Sequence, residues 1–263
     1  MTRLRAAGCV WAEDEAALLL AEAAARGTEV EPLLRRRVDG EPLEHVLGWA
    51  EFAGVRVAVR PGVFVPRHRS EAIVDAAVPL VRAAAARRAP HPPVVVDLCC
   101  GTGALGLATV RRAGVAVQLH AADLDPDAVA AARDTLTGPN GVPGAVVHEG
   151  DLLDALPAGL RGRIDVLIAN VPYVPTAAIA TLPPEFRDHE HRMALDGGDD
   201  GLDVARRLLA DLPDWLAVGG SAIGEASEAQ AVLLVEAARA SGLDARAVAD
   251  EERETTVVVT ARR

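Results

Sequence analysis

Val94-Val95-Val96-Asp97-Leu98-Cys99-Cys100-Gly101-Thr102-Gly103-Ala104-Leu105-Gly106 is the stretch from which the fold can be read. Residues 94 to 98 spell a short, largely apolar strand, and a helical pattern over 103 to 112 follows the glycines. Gly101 and Gly103 allow a tight turn with no β-carbon in the way, so a ligand can approach the strand end closely. Thr102 sits between them. Asp97, four residues ahead of the first glycine, suits a cationic or amine-bearing ligand better than a pyrophosphate, which it would repel. Taken alone, Gly-Thr-Gly-Ala-Leu-Gly also fits the dinucleotide-binding fingerprint.

Downstream, the text alternates: a strand at 117 to 123, a helix at 126 to 136, a strand near 145 to 149 and another at 164 to 170. Interleaved strands and helices imply an α/β fold with a parallel sheet and crossover helices. A helix near 201 to 212, an apolar run from Leu216 to Ile223, a helix over 227 to 240 and a hairpin from Arg246 to Thr260 predict an antiparallel finish. Upstream, a helix over about 70 to 88 leads into the glycine motif. Residues 13 to 25 and 29 to 38 show helical spacing, and such short helices need each other to bury their apolar faces. Between these regions, alternation at Val55, Val57 and Val59 predicts a hairpin that turns at Arg60-Pro61-Gly62. The expected division is a helical domain at 1–47, a β-hairpin linker at 48–66 and the main domain at 67–263.

Composition narrows the partners. A chain of 263 residues, half of them apolar, can bury one sizeable core with a small appended module. The 27 basic against 38 acidic residues give a net charge of -11, which opposes binding to a phosphate backbone, so no direct nucleic-acid partner is expected. Three cysteines, Cys9, Cys99 and Cys100, have no ligand-like spacing and fit a reduced, cytoplasmic setting. No run reaches the ~18 apolar residues that a membrane span needs, and acidic residues precede the first short apolar run, so neither a membrane partner nor a signal peptide is expected. His189-Glu190-His191 lacks a third metal ligand and reads as a solvated loop; no metal is expected. The acidic run Asp196 to Asp203 lacks calcium-loop spacing, and Trp11, Trp49 and Trp215 read as packing residues.

Two further positions carry chemistry. Asp123 ends the strand after the glycine motif, where a carboxylate can accept both hydroxyls of a ribose, whether of S-adenosylmethionine or of NAD. Asp125, ahead of Pro126, reads as a helix cap, and Gly150-Asp151-Leu152 is a weaker candidate for the adenine edge, with a loop carboxylate in solvent as the other reading. The second position is Asn170-Val171-Pro172-Tyr173, at the end of an apolar strand. The Asn170 side-chain carbonyl and the next backbone carbonyl can accept the two hydrogens of a planar NH2 group, and Tyr173 can lie against it. Held by two acceptors, such a nitrogen can meet an electrophilic methyl without a strong base. These four residues are the candidate catalytic set. Asp97, Gly101, Thr102, Gly103, Asp123, Asp151, Leu152 and Asn170 are the candidate cofactor contacts.

With these motifs in place, the chain resembles the HemK/PrmC family of protein-(glutamine-N5) methyltransferases. The resemblance covers nearly the whole chain. It is carried by Asp39 to Leu43, Leu47-Gly48, Phe52, Val65-Pro66-Arg67, Glu71, the glycine loop, Asp123, Asn170 to Tyr173, Ala194 to Gly198, Asp200 to Leu202, Gly219-Gly220 and Glu225. It implies a class I S-adenosylmethionine-dependent methyltransferase: a Rossmann-like, seven-stranded, mostly parallel sheet with a small N-terminal helical domain. It further implies transfer to the glutamine of the Gly-Gly-Gln motif in a peptide chain release factor, with Pro66, Arg67, Glu71, Asn170 and Tyr173 meeting the substrate. For the acidic run Asp196 to Asp203 it implies a turn into a helix. Two departures stand out. Val171 replaces the first proline of Asn-Pro-Pro-Tyr, and Pro66-Arg67-His68-Arg69-Ser70-Glu71 replaces Pro-Arg-Pro-Glu-Thr-Glu. Because Pro172 biases its predecessor to extended backbone, the Val171 carbonyl can keep its direction. Methylation of a small molecule or of another protein amide is the alternative, and a nucleobase amino group a weaker one.

Overall fold

The computed structural model describes residues 1–263. Four short helices open the chain: α1 (Thr2–Ala6), α2 (Ala12–Arg26), α3 (Glu31–Val38) and α4 (Leu43–Leu47). They enclose their own small core of Leu4, Leu19, Leu33, Val46 and Leu47, which no single one of them could bury alone. A hairpin, β1 (Trp49–Phe52) and β2 (Val55–Ala58), follows. Ala50, Phe52, Val57 and Val59 pack into the core of the main sheet, and the Ala58 N–H donates to Thr135 Oγ1 at 2.9 Å.

The hairpin turns at Ala53-Gly54, with φ of 49° and 82°, and not at Arg60-Pro61-Gly62. Paired positive φ values suit a two-residue hairpin turn, but alanine at the first position conceals it from the sequence signal, which is Asn-Gly or Asp-Gly. The Ala53 N–H donates to Glu71 Oε1 at 3.3 Å and helps hold that residue in place. Arg60 to Val63 form a separate turn closed by Val63 N–H to the Arg60 carbonyl at 3.1 Å.

The remaining chain alternates as the sequence predicts: α5 (Glu71–Arg88), β3 (Val94–Leu98), α6 (Ala104–Ala113), β4 (Gln118–Asp123), α7 (Pro126–Leu136), β5 (Val146–Glu149) and β6 (Ile164–Ala169). After a long connection containing α8 (Pro184–Arg187) come α9 (Asp203–Trp215), β7 (Leu216–Ala226), α10 (Glu228–Ala240), β8 (Asp244–Asp250) and β9 (Thr255–Ala261). The seven strands stand in the order β5-β4-β3-β6-β7-β9-β8. All pairs are parallel except those made by β9, so the sheet is mostly parallel with an antiparallel edge. Val95 faces a layer with α5 and α6, while Val94, Val96 and Leu98 face α9 and α10, which is why β3 is apolar at nearly every position. Asp125 caps α7 by accepting from Asp127 N–H at 2.9 Å, and Ser227 and Gln230 form a capping box on α10.

The tryptophans divide. Trp215 is buried, and Trp49 donates from Nε1 to Glu22 at 2.7 Å under the Arg56 guanidinium. Trp11 is 70% exposed at the start of α2, so its reading as a packing residue is wrong; it lies just outside the helical module's core.

Candidate active site

Strand order and register assemble the site. The chain runs from β3 outward through β4 to β5, then returns to place β6 on the other side of β3, creating the crevice in which such sheets bind ligands. Leu98 is level with both Ala122 and Ala169, so the next residues, Cys99, Asp123 and Asn170, emerge side by side. Above them lies a cavity of about 480 Å³, within the range of small-molecule sites.

Gly101 and Thr102 line this cavity. Gly101 has φ of 53°, and a β-carbon built there would meet nothing within 4 Å, so the turn leaves open space for a ligand's approach. Gly103 is spent on packing instead: its β-carbon would stand 2.9 Å from Leu136 Cγ. Asp97 also stays out of the cavity. It is wholly buried under the start of α6, where Oδ2 accepts from Gly106 N–H at 2.8 Å and Oδ1 has no partner. Burial pushes its pKa up to about 8.

Asp123 does reach the cavity. Its Oδ2 accepts from Gly101 N–H at 2.8 Å and its Oδ1 from Asp125 N–H at 3.0 Å, leaving one lone pair on each oxygen for two hydroxyls. Burial raises its pKa above the usual carboxylate value, against the pull of those N–H donors. Asp151 and Leu152 line the same end, with Asp151 ion-paired to Arg207.

Asn170, Val171, Pro172 and Tyr173 all line the opposite end of the cavity. The Asn170 Oδ1 is buried and has no hydrogen-bond partner, while its Nδ2 donates to Ser70 Oγ at 3.4 Å. No group of the protein donates to the Val171 carbonyl. Two acceptors on adjacent residues are thus without a donor in the protein, the Asn170 oxygen among them shielded from solvent. The Val171 side chain is buried with Leu167, Leu202 and Leu208, so the departure from proline is absorbed by packing. The Tyr173 hydroxyl donates to Glu225 Oε1 at 3.0 Å and accepts from Arg69 at 2.8 Å. Burial, and then the Glu225 carboxylate, push the tyrosine pKa up to about 12.

The turn carrying these residues rests on Asp196 to Leu202. Gly197 and Gly201 lie so close that a β-carbon on Gly201 would overlap the Tyr173 carbonyl, and Gln230 Nε2 donates to that same carbonyl at 2.9 Å. The acidic run therefore does more than start a helix: its glycines are the bed on which the Asn-Val-Pro-Tyr turn lies.

Of the residues that the resemblance points to for substrate, Pro66 and Arg67 line the cavity and Glu71 does not; it faces Ala53 and His68. Arg67 stacks between the Phe64 and Phe186 rings and is ion-paired to Glu190. Glu190 is buried, and it also accepts from Val65 N–H at 3.1 Å. His189-Glu190-His191 is therefore not a solvated loop, because its carboxylate and His191 both clasp the main domain. His191 N–H donates to the Gly62 carbonyl at 2.7 Å, and Nδ1 lies 2.6 Å from Asp125. Phe186 is a site residue that motif reading missed, because a single aromatic outside any fixed spacing carries no signal of its own; Arg69 and Ser70 also line the cavity, in the Pro66 to Glu71 segment, with roles that their residue types alone do not announce.

Residues 54–183 match the family described as Methyltransferase small domain. The release factor glutamine methyltransferase of Geobacter sulfurreducens is 37% identical over 188 residues, which are 72% of this chain and 61% of that protein. That of Streptomyces coelicolor is 36% identical over 198 residues, 75% of this chain and 67% of that protein. This chain belongs to the release factor glutamine methyltransferase family. It spans 61% to 71% of the length of the relatives it matches in that family. Also similar, at 35% over 209 residues (80% of this chain, 69% of the other), is the 4-amino-L-phenylalanine/4-methylamino-L-phenylalanine methyltransferase of Streptomyces pristinaespiralis. Among solved structures, a methyltransferase from Pyrococcus furiosus superposes with a TM-score of 0.56 at 14% identity, covering 87% of this chain and 96% of that one. A 16S rRNA N2 G1207 methyltransferase from T. thermophilus, solved with S-adenosylmethionine, superposes with a TM-score of 0.56 at 18% identity, covering 82% of this chain and 50% of that one. The fold is that of a class I S-adenosylmethionine-dependent methyltransferase, and S-adenosylmethionine is the expected cofactor. No helix is long and apolar enough to cross a membrane.

Proposed function

We propose that this protein transfers the methyl group of S-adenosylmethionine to the side-chain amide nitrogen of a glutamine, that of the Gly-Gly-Gln motif in a peptide chain release factor. The observation that carries this reading is the buried, unpartnered Oδ1 of Asn170, a residue of the cavity wall, next to the Val171 carbonyl, to which no group of the protein donates. A buried acceptor left unpaired costs about 1–3 kcal/mol, and a substrate NH2 group relieves that cost on binding.

The cofactor fits the opposite end. Asp123, with two free lone pairs, would hold its ribose, Leu152 and Asp151 would border its adenine, and the open face of Gly101 would admit its amino-acid end. When bound, S-adenosylmethionine supplies an electrophilic methyl group. The protein's own part is to hold and orient. Asn170 Oδ1 and the Val171 carbonyl each accept one amide hydrogen, which fixes the plane of the acceptor amide and draws electron density toward its nitrogen. Tyr173, with a pKa of about 12, stays a neutral phenol at physiological pH and presents a flat wall. The aromatic rings of Phe52, Phe64 and Phe186 line the cavity and exclude water from the reacting group. No strong base is needed, because the nitrogen loses its proton readily once alkylated.

A partner protein accords with a net charge of -11, which disfavours nucleic acid as the acceptor, and the reading places the enzyme in the cytoplasm. A second reading keeps every residue role and replaces the glutamine with the amine of a free aromatic amino acid; the similarity to the Streptomyces pristinaespiralis enzyme favours it. Transfer of label from tritiated S-adenosylmethionine separates the two. Label in a release factor, lost when its Gly-Gly-Gln glutamine is changed to alanine, supports the first; label only in 4-amino-L-phenylalanine supports the second.

A further inference from the structure

Ser70 stands in the Pro66 to Glu71 segment and Glu225 shortly after Gly219-Gly220, neither with a contact to cofactor or substrate assigned to it, and both are buried beside the site, their side chains joined at 2.5 Å. Glu225 comes from β7 and accepts three times: from Ser70 Oγ, from Arg69 Nε at 2.8 Å and from the Tyr173 hydroxyl at 3.0 Å. A carboxylate paired with an arginine is an acceptor only, so the proton between Ser70 and Glu225 is the serine's. A hydroxyl has one proton. With it committed to Glu225, Ser70 Oγ has only lone pairs left, and the neighbouring Asn170 can meet it only with its NH2 edge. The same logic decides the other edge: Oδ1 must be the atom left unpaired.

We propose that Ser70 and Glu225 are a positioning pair that sets the flip of the Asn170 amide, so that its oxygen and not its nitrogen faces the acceptor NH2 group. The amide of an asparagine is nearly symmetric in shape, and nothing in packing alone distinguishes its two ends. A flipped Asn170 would present a donor to a donor. The chain from Glu225 through Ser70 makes that state costly, because Oδ1 would then face an oxygen that has no proton to give. Glu225 sets the second wall at the same time, through the Tyr173 hydroxyl, so one carboxylate orients both substrate-facing side chains. This rests on reading Asn170 as the acceptor of the substrate's NH2.

The test compares the wild-type chain with Ser70→Ala, Ser70→Thr and Glu225→Gln. Three quantities are read: turnover with a release factor, affinity for S-adenosylmethionine by calorimetry, and the proton–nitrogen resonances of the Asn170 side-chain NH2, assigned by their loss in Asn170→Asp. Removing the serine hydroxyl should lower kcat about tenfold, the value of one lost orienting hydrogen bond, and leave cofactor affinity within about twofold. Threonine, which keeps the hydroxyl, should restore most of the turnover. Glutamine at 225 can donate to Ser70 and free the serine proton for Asn170, so it should move the Asn170 resonances as Ser70→Ala does. Unchanged kcat in Ser70→Ala, or Asn170 resonances that stay in place in both Ser70→Ala and Glu225→Gln, would overturn the proposal. If wild-type protein methylates no release factor, the acceptor is misread, and the Asn170 resonances still decide the positioning claim.

Discussion

A β-carbon added to Gly201 would stand 2.2 Å from the carbonyl oxygen of Tyr173. The two residues are 28 positions apart, and no Asn-Val-Pro-Tyr turn of this shape exists unless position 201 lacks a side chain. Gly201 also has φ of 77°, which strains any other residue. Gly201→Ala should therefore displace the Asn-Val-Pro-Tyr turn as well as cost stability: about 1–3 kcal/mol by urea denaturation, as for overpacking elsewhere, with, on the proposed function, a fall in kcat larger than the change in cofactor affinity. A variant with wild-type turnover would show that the turn does not need this bed.

Asp97 makes stability depend on pH in a defined direction. Its folded pKa, pushed up to about 8 by burial, lies above the ordinary carboxylate value of 3.8. Across the window between those values the folded protein holds a proton that the unfolded chain has released. Stability from this group is complete below about pH 4 and is lost as pH rises toward 8. Asp97→Asn keeps the acceptor for Gly106 N–H and does not titrate. The melting temperature of wild type relative to Asp97→Asn should thus fall between pH 5 and pH 8. A constant difference would mean that the carboxyl is ionised throughout.

Arg37 ties the helical module to the long connection over the site. It pairs with the buried Glu15 at 2.7 Å and with Glu185 of α8 at 2.8 Å. Arg37→Ala strands Glu15 in a nearly closed setting and should cost about 2 kcal/mol, whereas Glu185→Ala, at the exposed end, should cost about 0.5 kcal/mol. Equal losses in chemical denaturation would contradict this ranking.

The extent to which the sequence disclosed all this follows from where the physical signal lies. The parallel strands are legible because burial on both faces forces largely apolar runs, interrupted only by Asp97 in Val94 to Leu98 and by Asp165 in Ile164 to Ala169. The strand-end motifs do bring Gly101, Asp123 and Asn170 to one cavity, as motifs that end neighbouring parallel strands must. The hairpin turn at Ala53-Gly54 was hidden because alanine at a positive φ is held there by a contact 18 residues away, with Glu71. Glu190 reads as a solvated charge because nothing near it in sequence announces Arg67, its partner 123 residues earlier. Asp97 and Gly103 look like ligand contacts in the motif and act as internal supports of it; spacing alone does not distinguish the two faces of one turn.

The most direct test of the central claim is the pair of constants for Asn170→Ala: the rate of methyl transfer to a release factor under single turnover, and the dissociation constant for S-adenosylmethionine. If Asn170 Oδ1 grips the acceptor nitrogen, transfer should fall about 10²- to 10³-fold, as when one preorganised transition-state contact is removed, while the cofactor constant moves by less than about threefold. Transfer that survives within a few-fold of wild type would contradict the account, as would a loss of cofactor affinity that matches the loss of rate.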